Sequence, residues 1–326
     1  MSWIATPLPR FGSQWHWMSP QELFGEAIRL ENEGQRELAL DVFRQLTETS
    51  PTRNVFLRLA SLSMDLGLPD DAVRAFERAL EIDGRCGVAL MELGILAIRR
   101  RDFELAETHL KRACEITEHP GGFSLLGVAL RHRGKALEAE EACRHALRID
   151  PKYEEAHYNL GVILRHDRRS EAEASFRTAL ELDPGFACAH RELGFVLAHG
   201  APNPEAEAHL RRAIELDPGD AWAHIYLGTY LWSAGVAAAV AEFRTAAQLK
   251  PRWAVPLWSL GNIHEDVLGD FDSAQSYFER ALELQPDSQE ALKGLGRLIR
   301  KRGRKRLAID GTGSAQAGPA PQTPLG

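Results

Sequence analysis

No apolar run in the 326-residue chain approaches the roughly 18 residues that a bilayer-spanning helix needs, so no membrane span is predicted. The opening residues, MSWIATPLPRFGSQWHWMSP, lack a basic start followed by a long apolar segment. A secretory signal is therefore not expected, and the cytosol is the expected compartment. Cysteine is scarce. Cys86, Cys114, Cys143 and Cys188 are widely spaced and form no C-x-x-C pair, which fits small buried hydrophobes in a reducing compartment. Strand-like alternation is missing, and with it any glycine-rich phosphate loop following a strand. Serines do not fall in a nucleophile-elbow pattern. Glu138, Glu140, Glu141 and Glu171 recur at helix-surface spacing, where pairing with arginine one turn away accounts for them. The sequence thus predicts no enzyme, no catalytic residue and no cofactor.

What the sequence holds in quantity is one pattern, repeated. Residues 154–186 contain two amphipathic helical stretches separated by a short polar break. The first carries Ala156, Leu160, Gly161, Ile163 and Leu164; the second carries Ala172, Phe176, Ala179 and Leu180, and Pro184 stops it. A shift of about 33 or 34 residues reproduces the pattern along the chain. One column reads Ala27, Ala60, Gly94, Gly127, Gly161, Gly194, Gly228, Gly261 and Gly296. A second small column reads Ala39, Ala72, Ala106, Ala139, Ala172, Ala206, Ala239 and Ala274. Four residues further on comes a column of knobs: Phe43, Phe76, Leu110, Cys143, Phe176, Leu210, Phe243 and Phe278. Small residues on one helix admit large ones from the next at interior density.

Leu-Gly, then Ala-x-x-x-Phe-x-x-Ala, then Pro resembles the tetratricopeptide repeat. The resemblance implies an all-α fold, a right-handed α-solenoid of about eight helix-turn-helix units plus a C-terminal capping helix. The units are expected to start near Pro20, Arg53, Gly87, Pro120, Glu154, Ala187, Ala221 and Ala254, with a last helix over 289–302. An extra residue in the eighth unit, and shortenings at 168–169 and 235–236, are read as loop changes. The expected organisation is an irregular tryptophan-rich arm at 1–19, the solenoid at 20–309 and a disordered Gly/Pro-rich tail at 310–326. Trp3, Trp15 and Trp17 of the arm either fold over the exposed end of the array or dock a partner.

In repeat register, His157, His190 and His224 share a column, as do His132, His166 and His199. Stacked units lie about 8–10 Å apart, whereas zinc–nitrogen bonds are about 2 Å. Neither column can share one ion, and no metal site is predicted.

The family resemblance implies that the first helix of each unit lines a concave groove. The residues it carries there are Val88, Met91, Ile95 and Ile98 in the third unit, then Val128 and Arg131 in the fourth. Tyr158, Asn159, Val162 and Arg165 follow in the fifth, and Arg191 and Phe195 in the sixth. Trp222, Tyr226 and Trp232 represent the seventh; Trp258, Asn262 and Glu265 represent the eighth. Trp222, Trp232 and Trp258 read as anchors for an apolar ligand, with Arg99, Arg131, Arg165 and Arg191 orienting acidic groups. The competing reading is packing between adjacent units or against another copy. The Lys/Asn set by which co-chaperones of this family grip a carboxyl terminus is not assembled, since Asn159, Asn262 and Lys293 do not form it.

The implied function is a non-catalytic adaptor or scaffold that binds an extended or helical peptide of unknown identity. A self-assembling structural protein, a homo-oligomer, and an accessory subunit of an enzyme complex are the alternatives. Arginine outnumbers lysine, 32 of the 39 basic residues, a bias that goes with a GC-rich bacterial genome. Seven of the basic residues fall in 297–306, leaving the rest more acidic than the net charge of −7. That run is read as a solubilising cap in preference to a nucleic-acid or membrane-surface contact.

Overall fold

The computed structural model describes Trp15, residues 17–199, 203–232 and 235–313, with side chains as far as residue 302. Seventeen α-helices and one π-helical turn occur among these residues, and no strand. The chain divides into two compact units, Met1–Asp167 and Arg168–Gly326. The first holds α1 (Pro20–Asn32), α2 (Arg36–Thr49), α3 (Arg53–Asp65), α4 (Pro69–Ile82) and α5 (Gly87–Arg99). It continues with α6 (Phe103–Ile116), α7 (Pro120–His132), α8 (Ala136–Ile149) and α9 (Glu154–Leu164). The second holds α10 (Arg169–Leu182), α11 (Ala187–Leu197), α12 (Pro204–Leu216) and α13 (Ala221–Leu231). It ends with α14 (Val236–Leu249), α15 (Ala254–Ile263), the π turn His264–Leu268, α16 (Phe271–Leu284) and α17 (Gln289–Gly313). Among the described residues this is an all-α solenoid of repeated helix pairs with a final helix, and each first helix starts where the register places it.

The three columns explain the packing. All eight alanines of the second column are fully buried, and every knob residue from Phe43 to Phe278 is buried. At the glycines the fit is close: a Cβ on Gly94 would stand 2.6 Å from the Leu110 side chain, and one on Gly228 2.7 Å from the Phe243 ring. Glycine at these positions is thus a steric requirement of two helices in near-backbone contact. At four of the connections between pairs, the chain turns on an aspartate. Asp83, Asp150, Asp183 and Asp217 each accept a bond from the backbone N–H two residues on, at 2.8–3.1 Å. Such Asx turns explain why Asp precedes the proline or glycine after α4, α8, α10 and α12.

Within the first four pairs, the first helix closes on a left-handed residue: Gly34, Gly67, Arg101 and Gly134. Arg101 holds φ 61° without being glycine. The eighth pair departs from the sequence expectation. Its extra residue is absorbed inside the helix as the π turn His264–Leu268, and Gly269 at φ 63° ends it.

Trp15 and Met18 pack against the core of α1–α4, while Trp17 is exposed. Trp3 and the tail from 314 onward lie outside the described residues. α17 runs on as helix to Gly313, beyond the expected end at 302 and into the stretch read as tail. Among the described residues, no helix is long and apolar enough to cross a membrane.

Candidate functional site

First helices touch the first helices of neighbouring pairs: α5 with α7 and α7 with α9 in the first unit, α11 with α13 and α15 with α17 in the second. Within each unit the first helices therefore form a closely spaced row. Most candidates on that row are half-buried, but Val88 is 61% exposed, Trp222 39% exposed and Arg99 exposed, while Glu265 is buried.

On the first unit's row, Met91 and Ile98 pack against the buried cluster around Leu126 and Leu130. Ile95, Tyr158 and Val162 are partly open. Asn159 donates from Nδ2 to Oγ of buried Ser124 at 2.9 Å, joining α9 to α7. Arg131 contacts His132 at 2.8 Å, and Arg165 contacts His166 at 3.3 Å. A cavity of about 410 Å³ lies between α3 and α5, lined by Leu57, Ser61, Met64, Asp65, Val88 and Glu92 among others. Burial pushes the Glu92 carboxyl above the ordinary carboxylate range. The α3 side of this cavity carries none of the groove candidates named from the sequence.

The second unit assembles an aromatic chain. Phe195 of α11 stands 4.6 Å from Tyr226 of α13, ring centre to ring centre. Tyr226 is 5.6 Å from Trp222, one turn back on the same helix, and Trp222 meets Trp253 edge to face at 4.6 Å. His199 flanks one end at 4.9 Å from Phe195, and Lys250 Nζ lies 5.5 Å from the Trp253 ring at the other. Offset and edge-to-face rings at such spacing attract one another beyond their buried area. Trp253 was missed in the sequence because it is the N-cap of α15 and not a helix position. Its column, with Tyr153 and Phe186 as the N-caps of α9 and α11, carried the signal.

Arg191 holds the chain in place. Its guanidinium pairs with Asp220 and with buried Glu192, the latter at 2.9 Å. Asp220 in turn caps α13, accepting from the backbone N–H of Trp222 at 2.9 Å and of Ala223 at 3.4 Å. The side chain read as an orienting charge for a ligand is thus tied to the start of the helix that carries Trp222.

The other candidates are not brought to this chain. Trp232 packs edge to face on the buried knob Phe243 at 6.3 Å. Trp258 is half-buried against the α15–α17 core. Asn262 accepts from Arg297 at 2.7 Å. The Glu265 carboxylate, with no exposed surface, pairs with Arg297 at 3.1 Å and Lys301 at 3.0 Å. Arg302 pairs with Asp272, so three cations of the basic run are engaged with the eighth pair.

The histidine columns have local partners. His157 and His190 each place Nε2 against the carbonyl of the proline before their helix, Pro151 at 2.9 Å and Pro184 at 3.2 Å. His224 pairs through Nδ1 with Glu242 at 2.6 Å, and that bond raises its pKa above the usual histidine range.

A family model described as tetratricopeptide repeat matches residues 57–123, 164–221 and 265–322. No curated protein sequence matches the chain. Among solved structures, it is similar to a tetratricopeptide repeat protein from Parabacteroides merdae, with TM-score 0.60 and 16% identity over 76% of this chain and 98% of that one. The Cut9–Hcn1 hetero-tetramer of APC/C gives TM-score 0.66 and 14% identity over 88% of this chain, which spans 57% of the matched one. Pseudomonas aeruginosa pilF gives TM-score 0.55 and 22% identity over 66% of this chain and all of that one. At these identities the structures speak for the fold alone.

Proposed function

The chain belongs to the tetratricopeptide repeat family, and from that premise we propose that it is an adaptor capturing an extended peptide on the aromatic chain of its second unit. The carrying observation is the unbroken series Phe195–Tyr226–Trp222–Trp253, with Trp222 exposed and none of the four needed as a knob between paired helices. Tryptophan and tyrosine offer large contact area for few rotors, which makes them interface anchors. Apolar side chains of the ligand would lie over Trp222 and Tyr226. Phe195 and Trp253 would bound the site, and Arg191 would act as a positioning residue through Asp220.

In the first unit, Met91, Ile95, Ile98, Tyr158 and Val162 offer a milder apolar row, with Arg131 and Arg165 beside it. We assign them a secondary contact role. Trp232, Trp258, Asn159 and Asn262 already have scaffold partners and are left outside the contact set.

The test is a displayed random-peptide selection against the full chain, repeated with Trp222→Ala/Trp253→Ala. Enriched peptides should carry large apolar residues and should not be recovered by the double variant, whose circular dichroism should match the parent. Recovery of the same peptides by both proteins would remove the assignment.

A further inference from the structure

α17 carries the first-helix register of the eight pairs before it, so its faces can be compared with theirs residue by residue. Three positions after the Ala/Gly column the pairs place Leu30, Leu130, Leu164 and Leu231, all buried. The same position in α17 is Ile299, 63% exposed. Four positions before the column, Leu23, Phe56, Leu90 and Leu257 are buried, whereas Leu292 of α17 is 44% exposed. At the column itself, a Cβ on Gly94, Gly127, Gly194, Gly228 or Gly261 would come within 3 Å of the second helix's knob. A Cβ on Gly296 would meet no packing neighbour within 4 Å. The face along Leu292, Gly296 and Ile299 is the one that a second helix covers elsewhere. α17 continues as helix to Gly313, and among the described residues no helix turns back over it.

We propose that this face is a docking site for a helix of another protein, which supplies α17 with the second helix that the described residues do not contain. The sister pairs specify its chemistry: a small residue followed four positions later by phenylalanine or leucine, the knob that fills the Gly296 socket. The rim specifies its charge. Lys293 and Arg300 are exposed beside the socket, and the sequence runs on through Arg304, Lys305 and Arg306. The partner helix is therefore acidic at its flanks, and the same basic density opposes packing of one α17 on another. This surface shares no residue with the aromatic chain and stands or falls independently of it.

The test uses the full chain and a labelled peptide copying residues 68–84, LPDDAVRAFERALEIDG, which carries the small residue Ala72, the knob Phe76 and a net negative charge. Fluorescence anisotropy should show saturable binding, at least about tenfold weaker for Gly296→Leu, for Ile299→Asp and for the peptide with Phe76→Ala. Both substituted positions are open, so helicity should be unchanged. Absence of saturable binding, or binding indifferent to both chain variants, would overturn the proposal. Two further outcomes reassign the face and also overturn it. Light scattering that shows a dimer lost in Ile299→Asp would give the face to a second copy. Peptide binding that emerges only in Leu325→Asp would give it to the chain's own following residues.

Discussion

Glycine occupies the same register in several first helices for opposite physical reasons. Gly228 sits under the Phe243 ring, where a methyl group would overlap carbon at 2.7 Å. Gly228→Ala should therefore destabilise the array by about 1–3 kcal/mol through overpacking. Gly296 meets nothing, so Gly296→Ala should raise stability by up to about 1 kcal/mol through helix propensity alone. Thermal melts of the two variants read this reversal of sign directly. Arg101 is a related case: its φ of 61° stands where three sister helices use glycine. Arg101→Gly should relieve that strain and raise the melting temperature, by about 0.5–1 kcal/mol of stability net of the freedom glycine adds to the unfolded chain. Sequence showed the columns, but not which glycine was covered, since Gly296 and Gly228 look alike until the second helix is located.

Between elements, one buried carboxylate joins the third pair to the fourth through ion pairs. Glu107 of α6 is buried and bonded to Lys111 on its own helix and to Lys135 and Arg133 at the α7–α8 turn. Burial alone would raise its pKa, but the three cations outweigh this and bring the carboxyl down to about 2. A folded-state pKa below the unfolded value of 4.5 means stability that is present above that value and lost as pH falls toward 2. Glu107→Gln should lower the melting temperature at neutral pH and flatten its decline between pH 4.5 and 2; an unchanged acid limb would contradict the linkage. The starts of the first helices were legible, because each begins at the residue the repeat spacing marks. The π turn was not. One extra residue satisfies the same columns whether it enters a loop or a helix, and only the backbone bonding of His264–Leu268 distinguishes the two.

For the molecule as a whole, the repeat columns were readable because they are packing constraints and recur in every pair. The candidate site was readable only in part, because surface residues carry no such recurrence. Of the three tryptophans singled out in sequence, Trp222 joins an open aromatic chain, while Trp232 and Trp258 turn into the cores of their own pairs. Arg191 was read as a ligand contact and serves as a link to Asp220. Trp253 escaped notice outside the helix positions. The proposed peptide site on the second unit rests on Trp222. Its most direct test is the dissociation constant of the strongest selected peptide for the parent chain, Trp222→Ala and Trp232→Ala. Trp222→Ala should weaken binding by at least about tenfold with little change in melting temperature, whereas Trp232→Ala should lower the melting temperature and leave affinity within about twofold. Equal affinity for the parent and Trp222→Ala would contradict the account.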